Sequence, residues 1–357
     1  MKEVYYFKDN TLLFILGAGS SIDAGIPTAY KMVTDFEEKI KNDDELKKLY
    51  SFFKSAIVFQ RGLKSYAPNI SVSIEEILNV IEALNLQEDN ILYPYIGTWS
   101  QHFLKTSGAD FENVRKLDER IRELLFSWVT LNDYRKSKYF SNIGRLSAEI
   151  NSSIRIFSLN YDICVEKAFS ISNMRIETGI SPETYEWSSL RFDDLPEDEI
   201  PDAYLYKLHG SIDWEKQDSG LPKYSETPIK DDPQVIFGTA VKLRSLDPYL
   251  FNLYELRKYS LHENLKFIVI IGYSFNDDHI NRLIQQSLIQ RKLIKLIIIA
   301  PDNLGQDYEK SVREKFLSEN IEKNRLIFVN AFAKDFFENL NLDFFNQYYQ
   351  EDSSLPF

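Results

Sequence analysis

Short aliphatic and β-branched runs recur along the chain at Leu12–Leu16, Ile154–Leu159, Tyr204–Leu208, Val235–Phe237, Phe267–Ile271, Leu296–Ile299 and Leu326–Val329. Most are apolar at successive positions, which predicts strands covered on both faces, as in a parallel sheet. Between several of them lie apolar stripes with helical spacing: Met32, Val33, Phe36 and Ile40, then Ile280, Leu283, Ile284 and Leu288. This alternation predicts an α/β chain built on a Rossmann-like, doubly wound parallel sheet. The spacing is uneven, however. More than a hundred residues separate the first run from the second, far beyond the needs of one crossover. Amphipathic candidates fill that interval at Ile74–Leu86, Ile91–Leu104, Phe111–Leu125 and Ser137–Ile150. The expected organisation is an α/β domain over 1–41 and 151–345, a large helical insertion or subdomain over 42–150, and a C-terminal tail over 346–357. The segment from Glu215 to Gln234 has the turn chemistry of a hairpin around Ser219-Gly220.

Composition narrows the classes. With 357 residues, 44% apolar and 27% charged, the balance is that of a globular protein with two domains or one large, interrupted domain. The net charge is -12, with acids spread along the chain. That argues against the clustered Lys/Arg that direct sequence-specific nucleic-acid binding needs. Cys164 is the single cysteine, so one chain can form neither a disulfide nor a cysteine-built zinc site. It reads as a small buried hydrophobe, and the composition fits a reducing, cytoplasmic setting. No apolar run approaches the roughly 20 residues of a membrane span, so no membrane association is expected. The run at Leu12 follows Glu3, Asp9 and Asn10 and leads straight into a patterned helix, which favours a first buried strand over a signal peptide.

That first strand stops at Gly17-Ala18-Gly19-Ser20-Ser21. Backbone N–H groups at a strand-to-helix turn make an anion site, glycines allow close approach, and the serines add hydroxyls. Ile22 stands where the dehydrogenase fingerprint would have its third glycine, and no Gly-Lys-Ser/Thr follows. Taken alone, the loop reads either as a phosphate cradle or as a plain tight turn. Three other strands end in polar residues: Asn160 and Asp162, His209-Gly210, and Gly272, Ser274 and Asn276. Ligands of open parallel sheets bind beyond the carboxyl ends of the strands, so these residues are expected to converge on one crevice.

In combination these motifs resemble the sirtuin superfamily. Gly17-Ala18-Gly19-Ser20-Ser21 with Ala24-Gly25-Ile26-Pro27 resembles its opening loop, and Leu159-Asn160-Tyr161-Asp162 its Gln-Asn-Ile-Asp element. Leu208-His209-Gly210, Pro233–Gly238 and Gly272-Tyr273-Ser274 are similar to its further motifs in the same order. The departures are as specific: no zinc cysteines follow His209, and Thr28-Ala29-Tyr30 replaces the deacylases' Asp-Phe-Arg. In these respects the chain looks more like the sirtuin-like effectors of bacterial anti-phage defence. That resemblance implies hydrolysis of NAD+, as substrate, to nicotinamide and ADP-ribose, with no zinc. It also implies abortive infection by NAD depletion, gated by homo-oligomerisation or by a partner such as a HerA-type ATPase.

The resemblance also implies roles. His209 is the general base, Asn160 positions water or the ribose hydroxyls, and Asp162 holds the nicotinamide amide or caps the following helix. The amides from Gly17 through Ala18 to Gly19, with Ser20 and Ser21, face the pyrophosphate. Ile26 and Pro27 pass over the nicotinamide ribose, and Asp23 reaches the nicotinamide end or caps a helix. Gly272, Ser274 and Asn276 face the adenosine side, with Asn276 or Asp277 alternatively capping the helix after them. Asp302 and Asn303 bind the adenine ribose or form an ordinary turn. A protein deacylase and a non-catalytic sensor of NAD or ADP-ribose are the competing functions. Retention of both Asn160 and His209 argues against the sensor.

Overall fold

The computed structural model describes residues 7, 9–64, 71–85, 101–108, 111–193, 200–217, 221–230, 233–235, 247–302 and 305–349. Its centre is a seven-stranded sheet in which every strand runs parallel to its neighbours. In chain order the strands are β1 (Leu12–Leu16), β2 (Ile154–Ser158), β3 (Ile176–Glu177), β4 (Ala203–Lys207), β8 (Phe267–Ile271), β9 (Lys295–Ala300) and β10 (Leu326–Asn330). Their spatial order is β10-β9-β8-β1-β2-β4-β3. The chain thus leaves β1 in one direction through β2 and β4, then returns to its other side with β8. Leu13 of β1 faces Arg155 of β2 on one flank and Ile268 of β8 on the other. That reversal is the topological switch at which such sheets open a crevice.

Because side chains alternate along a strand, β1 divides its five apolar residues between two cores. Leu12, Phe14 and Leu16 join Ile154, Ile156, Val269, Ile271 and the apolar face of Asn142–Ile150. Leu13 and Ile15 join Phe157, Tyr206, Ile268, Ile270 and residues of Tyr249–Ser260 and Asp278–Gln290. Both faces being covered explains why the strands are apolar at successive positions, and the fold is the Rossmann-like α/β class.

Between β1 and β2 run helices α1 (Ala29–Lys39), α2 (Asp44–Lys64), α3 (Ile74–Asn85), α4 (Gln101–Ser107), α5 (Glu112–Val129) and α6 (Asn142–Ile150). Helix α2 falls outside the segments picked from the sequence, although Leu46, Leu49, Tyr50, Phe53 and Ile57 form its buried stripe. Exposed Phe59 and Leu63 blur that stripe in the sequence. Helices α1, α2, α3 and α5 share a third core, which also takes in Tyr161, Ile163 and Ile212 from the ends of the sheet. By contrast, Tyr139, Phe140 and Ile143, from the 3-10 turns Tyr134–Ser141 and from α6, pack on the sheet itself. The expected helix over Ile91–Leu104 appears only as α4, and 86–100 lie outside the described residues.

A small antiparallel sheet follows His209. Strand β5 (Gly210–Glu215) lies between β6 (Lys223–Tyr224) and β7 (Pro233–Val235). The expected hairpin is present as the β5–β6 pair, with Ser219 and Gly220 outside the described residues. The run at Val235 is therefore not a strand of the parallel sheet. It begins at Pro233 and pairs antiparallel with β5 instead. Near the C-terminus, Phe345 is fully buried, and Tyr349 packs against Phe7 and Phe267. The aromatic residues after Leu342 are thus used on the chain's own core; 350–357 lie outside the described residues.

Candidate functional site

The glycine loop and the turn after β8 are built as one unit. Gly17 N–H donates to Ile271 O (2.9 Å) and Gly19 N–H to Gly272 O (2.8 Å). A Cβ at Gly17 would lie 2.6 Å from Gly272 O, and one at Gly19 2.6 Å from Gly272 Cα. Gly272 itself has φ +64°, and a Cβ there would collide with Ser20 N. The glycines thus provide backbone-to-backbone contact at the switch point. The amide donors of Gly17 and Gly19, expected to face a pyrophosphate, are instead spent on this contact. Ala18 opens a 3-10 helix (Ala18–Ala24), which ends at Gly25 with φ 111°.

Ser20 and Ser21 are fully buried within that turn. Ser20 Oγ donates to Gly17 O (2.7 Å), and Tyr139 Oη donates to Ser20 O (2.7 Å). Having spent its hydrogen, Ser20 Oγ accepts from Asn160 Nδ2 at 3.2 Å; Asn160 Nδ2 also lies 3.2 Å from Ser21 Oγ. This fixes the amide orientation and leaves Asn160 Oδ1 buried with no hydrogen-bond partner among the described residues. A buried carbonyl oxygen in that state costs about 1–3 kcal/mol, which a ligand hydroxyl or water can recover.

His209 follows β4, and the turn at Gly210 (φ +83°) sends the chain back into β5. His209 Nε2 lies 3.2 Å from Asp277 Oδ2, and the two residues are 7% and 8% exposed. The other oxygen of Asp277 accepts from His279 N (3.1 Å) and Ile280 N (3.4 Å), capping the helix Asp278–Gln290. An ionised carboxylate only accepts, so the contact with Asp277 is made by a ring proton on Nε2. Asp277, read from the sequence only as a possible cap, therefore also orients the histidine. Tyr273 Oη donates within the same group, to Asp277 O (3.1 Å).

Asp162 is buried, and its Oδ1 accepts from Cys164 N (3.0 Å) at the start of the helix Cys164–Ile171. Its carbonyl accepts from Lys207 Nζ. Lys207, 2% exposed at the end of β4, also lies 3.3 Å from Glu166. Sequence reading missed this buried charge group. Burial pushes the Glu166 carboxyl up to about 7, against the opposing pull of Lys207, and it raises the buried Asp213 as well. With its folded value above the ordinary 4.5, Glu166 keeps its proton in the folded state where the unfolded chain has lost it. Its contribution to stability is complete below about 4.5 and declines as pH rises towards 7. Glu166→Gln is expected to flatten the fall in urea midpoint across that window, with Asp213 leaving a residual slope in the same direction.

The remaining predicted residues are placed as follows. Asp23 Oδ2 accepts from Lys334 N (2.9 Å), capping the short helix Ala333–Glu338 and tying it to the glycine loop. Ile26 is core, and Pro27 is half-buried beside it. Asn276 Nδ2 donates to Tyr30 Oη (3.3 Å), which bridges the turn after β8 to the start of α1. Ser274 is exposed. Asp302 and Asn330 bond to each other, joining the ends of β9 and β10, and Asn303 lies outside the described residues. The crevice thus gathers the loop after β1, Asn160, His209 and the turn from Gly272 to Asp277. Asp302 is held by its bonds to Asn330 at the ends of β9 and β10.

This arrangement, with an asparagine locked to a glycine loop and a carboxylate-held histidine at parallel strand ends, accompanies a match to a known family model. Residues 154–324 match a SIR2-like domain. The SIR2-like match begins at β2 and covers Asn160, His209 and the turn from Gly272 to Asp277; β1 and its glycine loop lie outside it. It supports a sirtuin-like family, and SIR2-like domains use NAD+. No curated protein matches the chain. Among the described residues no helix is long and apolar enough to cross a membrane, and no cluster of His, Cys, Asp or Glu has the form of a metal site.

Proposed function

We propose that the chain is an NAD+ glycohydrolase that cleaves NAD+ to nicotinamide and ADP-ribose, and that His209, held by Asp277, is its general base. The observation that carries this reading is the His209–Asp277 pair at 3.2 Å, in the same crevice as Asn160 with its buried, unpartnered Oδ1. Those groups fit a substrate rich in hydroxyls. NAD+ brings a glycosidic bond to a positively charged nicotinamide, whose departure needs no strong acid. Asn160 Oδ1 accepts from a ribose hydroxyl or from the attacking water. His209 takes the proton released as the water oxygen bonds to the ribose carbon, while the pair from the broken C–N bond leaves with nicotinamide. One water is consumed and one proton released, and orientation with proton transfer supplies the acceleration. The buried turn around Ser20, Ser21 and Tyr139 holds Asn160 in place.

The loop and motif resemblance supports placing this activity in anti-phage defence, as a toxic effector that depletes NAD. Its gate would be self-assembly or a partner such as a HerA-type ATPase. The test is incubation of the purified full chain with NAD+, alone, with candidate activators, and with an acylated peptide. Nicotinamide and ADP-ribose in equal amounts without peptide support hydrolysis. Nicotinamide release that requires the peptide indicates a deacylase, and saturable binding without turnover in any arm indicates a sensor.

A further inference from the structure

The helical segment between β1 and β2 sets a carboxylate against Tyr161, the residue that follows Asn160. Helix α3 starts with a capping box, in which Ser73 N–H donates to Glu76 Oε2 (2.9 Å) and Glu76 N–H to Ser73 Oγ (3.3 Å). Glu76 is also paired with Arg61, so the helix start consumes that acid. Its neighbour Glu75 serves neither purpose. Glu75 Oε1 accepts from Tyr161 Oη at 3.3 Å, and among the described residues it has no ion-pair partner. Tyr161 stands between Asn160 and Asp162, buried, with its ring centroid 6.3 Å from that of His209. Burial chiefly holds the hydroxyl of Tyr273, the residue bonded to Asp277, in its protonated form, and the charges of Asp277, Asp278 and Glu75 add to this. Packing fixes the placement, since Ile74, Ile77 and Ile81 of α3 share a core with Tyr161, Ile163 and Ile212.

From this juxtaposition we infer that Glu75 is a further catalytic residue of the NAD+ site. Its carboxylate accepts hydrogen bonds from the hydroxyls of the nicotinamide-side ribose and opposes the positive charge that grows there as the C–N bond breaks. This rests on the NAD+ reading above. A carboxylate accepts two such bonds at once, and fixed negative charge beside developing positive charge is most effective where water is excluded. The bond broken and the proton released are those already given, and Glu75 forms no covalent bond. The helical segment is on this account part of the active site.

The test uses full-length protein and a readout independent of turnover. In a His209→Ala background, calorimetry measures binding of NAD+ and of NAD+ lacking both hydroxyls of the nicotinamide ribose, with and without Glu75→Gln. Loss of a charged hydrogen bond predicts that Glu75→Gln weakens NAD+ binding by about tenfold and the dideoxy analogue by less than about twofold. With His209 intact, the same change is expected to lower kcat about a hundredfold. Tyr161→Phe, which leaves Glu75 in place, is expected to keep the discrimination between the two ligands. Equal effects of Glu75→Gln on both ligands, or none, overturn the role of Glu75 while NAD+ binding itself stands. Discrimination lost in Tyr161→Phe but kept in Glu75→Gln overturns it as well. If NAD+ does not bind the parent protein, both readings fall together.

Discussion

His209→Ala is expected to reduce nicotinamide release by about 10²–10⁴-fold in kcat, the range for removal of a positioned general base. The effect should fall on kcat rather than KM, because in the proposed mechanism the histidine acts on the proton of the attacking water and not on the bulk of the nucleotide. Asn160→Ala is expected to cost about 10²-fold, as loss of orientation rather than of a base. Its pH profile should therefore keep the shape of the wild type, whereas residual activity of His209→Ala should lose the limb that the imidazole sets. Asn160→Ala also leaves the Ser20 and Ser21 hydroxyls without their donor. Asn160→Asp separates the two contributions: it keeps the accepting oxygen and loses the amide donor to Ser20 and Ser21. Chromatography of nicotinamide and ADP-ribose across pH 5–9 reads all three. Retention of full turnover by His209→Ala would remove the base from this mechanism.

The second large effect is structural. Gly272→Ala places a methyl group against Ser20 N and Gly19 Cα (2.5 Å) at a residue with φ +64°. The obstacle is backbone from the first strand's own loop, which cannot rotate aside as a side chain would. Overpacking and the left-handed backbone together are expected to cost on the order of 3 kcal/mol, measured by urea denaturation. Gly62→Ala is the matched control. Nothing lies within 4 Å of its added Cβ, and helix α2 should gain about 0.5–1 kcal/mol. Equal midpoints for the two variants would show that the loop contact is softer than its geometry.

Much of this was legible in the chain itself. The strands were visible because a sheet covered on both faces demands apolar residues at successive positions, as at Leu12–Leu16 and Phe267–Ile271. Asn160 and His209 were visible because polar residues directly after such runs mark strand ends. The second role of Asp277 was not, because capping is local and leaves a sequence signal, whereas its contact with His209 spans 68 positions. The group of Lys207, Glu166 and Asp213 was hidden for a related reason: an acid on a strand or helix reads as solvated until its neighbours are known. Glu75 and Glu76 show the limit most plainly. They are adjacent and identical in type, yet one closes a helix end and the other faces Tyr161.

The placement of β1 at the centre of the sheet also bears on synthesis. Its two neighbours, β2 and β8, begin at residues 154 and 267, and the crevice closes only when Gly272 meets Gly17 and Asp277 meets His209. A nascent chain emerging from the ribosome therefore carries the asparagine and the histidine long before it carries the segment that assembles them. Premature termination anywhere before β8 yields a fragment without the switch-point contact. On the hydrolase reading proposed above, a cell translating this chain is thus shielded from incomplete products by topology alone.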